Sequence, residues 1–335
     1  MGIDPASPQR LFRAVAWSAL AALAALILTP LAGPTALDWS RVTLASSMER
    51  QILWELRLPR VLLAMLAGGC LSLAGALFQA LLRDALATPY TLGVSSGAAL
   101  GAVAAICLGW TQAFYLPAVW VAAFAGAAGA LVIVLMIATE GNRMSSFTLL
   151  LAGVTINSMC LALILFLHNL AGFTQSFSIS RWLMGGVDAV EYPALAWLGV
   201  ITLAAVALIL RHARDWNLLA VGEDWASARG LSPRRLLLTG YLAGSVLTGA
   251  VTALTGPIGF VGLIVPHALR LRVGADHRVL MPCSFLAGAA FLAVCDALAR
   301  TVLAPAEVPV GVITAMCGGP FFIWLLRTRR RSLWL

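Results

Sequence analysis

The stretch IGFVGLIVPHALRL, residues 258–271, decides how this chain is threaded, because it is apolar, short and interrupted by Pro266. An α-helix needs about 20 apolar residues to cross a bilayer core. Nine other stretches meet or approach that length: 14–31, 61–82, 91–109, 116–138, 147–168, 192–210, 236–254, 279–298 and 308–326. Basic residues stay on the cytoplasmic side, so Arg10 and Arg13 hold the N-terminus inside, and the tail Arg327, Arg329, Arg330 and Arg331 does the same for the C-terminus. Two ends on one side require an even number of crossings. The Pro266 stretch therefore crosses, and the expected fold is an all-α, polytopic membrane domain of about ten helices, both termini cytoplasmic, over residues 1–335. In that threading the inner segments hold sixteen arginines and the outer ones six, Arg41, Arg50, Arg57, Arg60, Arg181 and Arg300. A proline-broken crossing is tolerated only where protein or a water-filled cavity covers the freed backbone, as beside a transport path.

Composition agrees. Of 335 residues, 61% are apolar and 11% charged, with a mean hydropathy of +0.93; soluble chains are about a quarter charged. A water-soluble enzyme is excluded. All 22 basic residues are arginines. Without lysine the chain has neither a phosphate-binding Walker loop nor a Schiff-base nucleophile, so it is not itself an ATP-hydrolysing engine. The six cysteines (Cys70, Cys107, Cys160, Cys283, Cys295, Cys317) fall in apolar stretches without a CxxC pair and read as small core residues. The run 14–31 exceeds the 7–15 residues usual in the apolar part of a signal peptide and reads as a retained first span. Gly93, Gly97 and Gly101 recur at the spacing that lets helix backbones approach closely.

Few ionisable groups lie within the spans, and no series of them could relay protons, so coupling to an ion gradient is disfavoured. His168, His212, His267 and His277 are scattered, and no metal site is expected. Gln79, Asn157 and Ser158 either line a pore or bond helix to helix. Arg57 and Arg60 are three apart and share one helix face; they read as outward cations for an acidic partner or as lipid anchors. Asp296 and Arg300, at i and i+4, form a pair that satisfies itself. The largest inner loop, 211–235, contains GEDWASARG from Gly222 to Gly230, acidic at its start and ending in Arg-Gly, which predicts a short, well-terminated helix. Ser232 and Pro233 then have the types wanted at the start of the next span.

Several stretches together resemble the permease subunits of the iron-chelate and cobalamin ABC importers: Arg57-Leu58-Pro59-Arg60 running on to AGALFQ (74–79), LGVSSGA (92–98), LLLAGV (149–154), WLMGG (182–186), GPIGFVGLIVPH (256–267) and EVPVG (307–311). The similarity covers about residues 42–326. It implies a subunit that pairs with a second copy of itself around a path at their interface, two cytoplasmic ATPase subunits carrying the ATP and Mg, a periplasmic binding protein, and a place in the bacterial inner membrane. The chain itself then binds no cofactor and performs no covalent chemistry.

The resemblance further implies that Arg57, Arg60 and Arg300 dock the binding protein. Gly222, Glu223, Asp224, Trp225, Ala226, Ser227, Ala228, Arg229 and Gly230 form the helix that couples to the ATPase. Asp84 and Leu86, with Ser146 and Phe147, belong to cytoplasmic gates. Two departures bear on specificity. Asp84-Ala85-Leu86-Ala87-Thr88-Pro89 lacks the family's first proline, and Arg181 precedes Trp182 while Gly186 stands where relatives carry serine. Arg181 is the substrate-path candidate, a cation suited to haem propionates or an anionic siderophore, or else an interfacial anchor. The expected function is import of a metal chelate by alternating access, haem or ferric siderophore before cobalamin. A proton-coupled carrier, recognised by vanadate-insensitive uptake with this chain alone, and a non-transporting scaffold are the alternatives.

Overall fold

The computed structural model describes residues 8–33, 47–110, 112–113, 116–140 and 143–328. The side chains of Arg10 and Arg143, and all of Arg41, Arg329, Arg330 and Arg331, lie outside the described residues, so the arginine asymmetry rests on the sequence. The helices are α1 (Pro8–Leu28), α2 (Met48–Leu82), α3 (Val94–Cys107), α4 (Ala118–Ala138), α5 (Ser146–Leu170), α6 (Phe173–Leu183), α7 (Tyr192–Arg211), α8 (Ala213–Val221), α9 (Glu223–Ala228), α10 (Pro233–Thr255), α11 (Val261–Val273), α12 (His277–Thr301) and α13 (Val310–Thr328). Two tiny antiparallel ladders clip the ends of α4: Gln112–Ala113 with Leu116–Pro117, and Thr139–Glu140 with Arg143–Met144. Helices α2, α4, α5, α7, α10 and α12 are long and apolar enough to cross a membrane; α1, α3 and α13 contain shorter apolar runs. The Pro266 stretch folds as α11. A helix thus stands at each of the ten expected places, α11 starting late because Gly256 (φ 65°) and Phe260 (φ 68°) bend the chain before it.

Helix α2 is the axis of the bundle, buried from Ala67 to Leu82, and packs on α12, α10 and α11. Its small residues make this possible. A methyl group on Gly75 would collide with the backbone of Gly262 in α11, and one on Gly68 with that of Gly288 in α12. In a membrane, dispersion between such close surfaces replaces the hydrophobic drive between helices. Gly97 and Gly101 press on Gly126 and Ala122 of α4, as the four-residue spacing predicted. Gly93 departs from that face: with φ 82° it precedes α3 and rests against Gly153 and Ile156 of α5. Gln79 bonds helix to helix, donating to the Gly262 carbonyl (3.3 Å) and accepting from Arg270 (2.9 Å). Asn157 is half-buried, and Ser158 is exposed and donates to the Val154 carbonyl. Cys70, Cys160, Cys283 and Cys295 are core residues and Cys107 is half-buried. Cys317 corrects the expectation, being exposed because α13 turns an apolar face out of the bundle.

Helix α12 begins on a polar knot. The Asp276 side chain accepts from the Arg278 backbone N–H (3.0 Å), pairs with the Arg278 guanidinium (2.6 Å), and takes a hydrogen bond from Asn217 of α8 (2.8 Å). The Arg278 hydrogen bonds foremost hold its carboxyl at about 2, against partial desolvation. A depressed carboxylate stabilises the fold above its unfolded pKa of about 3.9 and loses that contribution as pH falls through the folded value. The melting-temperature gap between the natural chain and Asp276→Asn, measured in detergent, is therefore constant from pH 7 to about 4 and narrows towards pH 2; a gap unchanged down to pH 2.5 contradicts this.

Candidate functional site

Where α1 ends and α2 begins, charged side chains are folded inward. The chain leaves α1 after Leu28, and the backbone carbonyls that follow need donors from elsewhere; Arg57 donates to Pro30 (3.2 Å) and Leu31 (3.3 Å), and Arg300 to Thr29 and Ala32 (both 3.3 Å). Arg57 is 5% exposed and Arg300 2%. The expectation of outward cations is corrected for Arg57, and the docking expected of Arg300 meets a buried side chain: the carbonyls of the segment after α1, distant in sequence, draw both in. A π-helical turn, Ile52–Arg57, places Arg57 for this clasp, with Gly33 leaving room for its guanidinium. Asp296, fully buried, lies 3.0 Å from Arg60 Nε and 3.1 Å from Arg300 Nε, so the Asp296–Arg300 pair is present and shared with Arg60. Arg300 aims its Nε–H at the Asp296 carbonyl (3.3 Å), which makes its contact with the carboxylate ionic. Arg60 also reaches the exposed Glu307 (2.9 Å) and is the one of the three that borders open space.

That space is a cavity of about 1150 Å³ lined by Trp110, Trp120, Phe177, Arg181, Trp182, Arg60 and Glu307, among others. Arg181 is exposed on the last turn of α6. The WLMGG segment anchors this wall: Gly185, at φ 70° and tight against the Pro257 backbone, accepts from Gly311 N–H (3.2 Å), while Gly186 N–H donates to Thr255 (2.8 Å). Nothing crowds Gly186, so the serine of relatives would fit. The amphipathic α6 itself escaped the sequence reading; Phe173, Phe177 and Arg181 at four-residue steps are its signal.

At the far end of α2, about 35 Å from Arg60 at 1.5 Å per residue, the residues expected to couple and those expected to gate meet. Helix α9 ends as predicted, with Leu231 N–H donating to Ala226 and Gly230 N–H to Ser227, a Schellman pattern with Gly230 at φ 80°. Gly222 and Ala226 are buried; Asp224, Trp225, Ser227, Ala228, Arg229 and Gly230 are exposed, Trp225 by 61%. Ser232 caps α10 through Arg235 N–H. Glu223 Oε1 accepts from the Ser146 hydroxyl (2.8 Å), the Ser146 N–H (3.3 Å) and Arg83 (3.4 Å). Ser146 is buried at the start of α5 and also faces the Leu81 carbonyl (2.8 Å), while Phe147 beside it is exposed. Asp84 accepts from the Leu86 N–H (2.9 Å), which fixes the turn, and Leu86 is exposed. Sequence reasoning named Glu223 and Ser146 separately; their union, with Arg83, has no sequence signal.

The model of the FecCD transport family matches residues 20–328. The chain belongs to that family. Among FecCD-type relatives, it is 38% identical over 309 residues to the hemin transport system permease protein HmuU of Yersinia pestis, covering 89% of this chain and 90% of the other. It is 42% identical to the vitamin B12 import system permease protein BtuC of Citrobacter koseri, covering 83% of each. A solved chain of a metal-chelate type ABC transporter in an inward-facing conformation superposes with a TM-score of 0.82 at 29% identity, over 95% of this chain and 99% of that one. As a FecCD chain this is a multi-pass permease component of an ABC transporter, a non-catalytic part to which ATP hydrolysis is external.

Proposed function

We propose that two copies of this chain form the membrane path of an ATP-driven importer in the bacterial inner membrane, moving a metal chelate from a periplasmic binding protein to the cytoplasm by alternating access. All ten apolar helices cross, both termini are cytoplasmic, and α9 seats in an ATPase subunit that carries the ATP and Mg. Asp84, Leu86, Ser146 and Phe147 form the inner gate. Arg60 with Glu307 offers the binding protein its accessible charges, while Arg57 and Arg300 shape that docking end from beneath.

The observation that carries the substrate reading is the large cavity at the end opposite α9, where the exposed Arg181 stands among Trp110, Trp120, Phe177 and Trp182. Aromatic walls suit a flat or conjugated ligand, and a guanidinium suits carboxylates. Haem or a ferric siderophore with acidic arms fits best. Cobalamin is the second reading, supported by the 42% identity to a vitamin B12 permease.

The test is uptake into proteoliposomes holding the chain, its ATPase and its binding protein. Arg181→Glu lowers uptake of haem or ferric siderophore about tenfold, the size of one charge-assisted hydrogen bond of about 1.5 kcal/mol, and leaves cobalamin unaffected. Cobalamin as the sole cargo, with the variant unchanged, selects the second reading; vanadate-insensitive uptake by this chain alone rejects the importer.

A further inference from the structure

Helix α7 carries an exposed stripe at three- and four-residue steps, Trp197, Val200, Leu203, Ala207, and then Arg211. Apolar residues exposed along a membrane-length helix face lipid, so Arg211 stands where that face meets the headgroup layer. There it borders a second cavity of about 420 Å³, lined by Leu210, Arg211, Ala213, Arg214, Arg278 and Pro282. Half its wall is apolar and half is guanidinium.

The local charges do not cancel. Asp276 takes up Arg278 (2.6 Å), and Asp215 is held by His212 (2.8 Å), while Arg211 and Arg214 are both exposed and enter none of the ion pairs among the described residues. Two uncommitted guanidinium groups beside an apolar wall, at the end of a lipid-facing stripe, match a phosphate diester joined to acyl chains. An ATPase surface is the poorer match, because the apolar half of the pocket continues the lipid-facing stripe of α7.

We propose that this pocket binds the headgroup of an anionic phospholipid, with Arg211 and Arg214 gripping phosphate and Leu210 and Pro282 receiving the first methylenes. Placing it in the cytoplasmic leaflet rests on the orientation proposed above; the binding itself does not, and it is read in detergent on the purified full chain. Native mass spectrometry with added cardiolipin, phosphatidylglycerol or phosphatidylcholine counts retained lipids, and melting temperature is followed in parallel.

Cardiolipin or phosphatidylglycerol remains bound and raises the melting temperature, whereas phosphatidylcholine and inorganic phosphate do neither. Arg211→Gln with Arg214→Gln lowers anionic-lipid adducts at least about fivefold, as expected for the loss of one to two charge-assisted bonds, and leaves the lipid-free melting temperature within a degree or two. Equal adducts on the double variant overturn the proposal, as does equal retention of phosphatidylcholine or an equal effect of inorganic phosphate. Loss of ATPase co-purification with lipid binding intact assigns these arginines to the partner protein instead.

Discussion

Gly75→Leu sharply lowers recovery of folded, monodisperse protein, while Gly129→Leu leaves it unchanged. Both glycines lie in membrane-length helices, and both substitutions add the same side chain. They differ in what a side chain meets. At Gly75 it runs into the carbonyl and Cα of Gly262, which are backbone atoms with no rotamer to change, whereas at Gly129 nothing lies within 4 Å. A methyl group on Gly262 would in turn lie 2.6 Å from the Leu71 carbonyl. The two helices must separate, and the bond from Gln79 to Gly262 and its link to Arg270 separate with them. Overpacking against yielding side chains costs about 1–3 kcal/mol; backbone against backbone, with buried amide and guanidinium groups losing partners, exceeds that range. Against a total stability of about 5–15 kcal/mol, such a loss lowers the recovery of folded protein by more than the several-fold change in abundance that about 1–2 kcal/mol brings. Size-exclusion profiles and melting temperatures of the two variants check it. Equal recovery of both would mean that α2 and α11 do not meet through these glycines.

What the sequence made legible follows physical locality. Apolar runs announce membrane helices by composition alone, so a helix stands at every expected place, and α9 was readable because its acidic start and Arg-Gly stop act within one turn. Features made by distant partners were not readable. Arg57 looks like a free cation, and Arg300 like half of a local pair, until the carbonyls that follow α1 are brought beside them. The Gly75–Gly262 contact is half visible, since glycines in an apolar run mark close approach without naming the partner. The cavity around Arg181 needs α3, α4, α6 and the end of α10 together, and α6, too short and polar for a span, was passed over. Asp84 shows a local rule at work where the resemblance leads one to expect proline, its side chain accepting from the Leu86 N–H.

The link least visible in sequence is the one whose loss, on the coupling role proposed for α9, most directly disconnects the ATPase from the path. Glu223 opens α9 and its carboxylate sits at the N-terminus of α5, where it accepts two hydrogens from Ser146 and complements the positive end of that helix. In the proposed mechanism a displacement of α9 would be delivered through these bonds to the start of α5 and the exposed Phe147. The Ser146 hydroxyl has one proton and two acceptors, Glu223 Oε1 and the Leu81 carbonyl, both at 2.8 Å, so it serves one at a time and can change partner as α9 moves. Arg83 contributes less, because its 3.4 Å pair with Glu223 is substantially solvent-exposed. Glu223→Ala in the reconstituted transporter therefore keeps most ATP hydrolysis and loses uptake by about ten- to a hundredfold, as expected when hydrogen bonds to a charged group worth about 1.5–3 kcal/mol are lost. Glu223→Gln, which keeps an acceptor, recovers part of it, and Arg83→Gln changes uptake less than about threefold. Ser146→Ala combined with Glu223→Ala falls short of the summed losses, since the contact between the two side chains cannot be lost twice and only the Ser146 bond to the Leu81 carbonyl is left to lose. Uptake per ATP unchanged in Glu223→Ala, or fully additive losses in the double variant, would show that α9 drives the gate by another route.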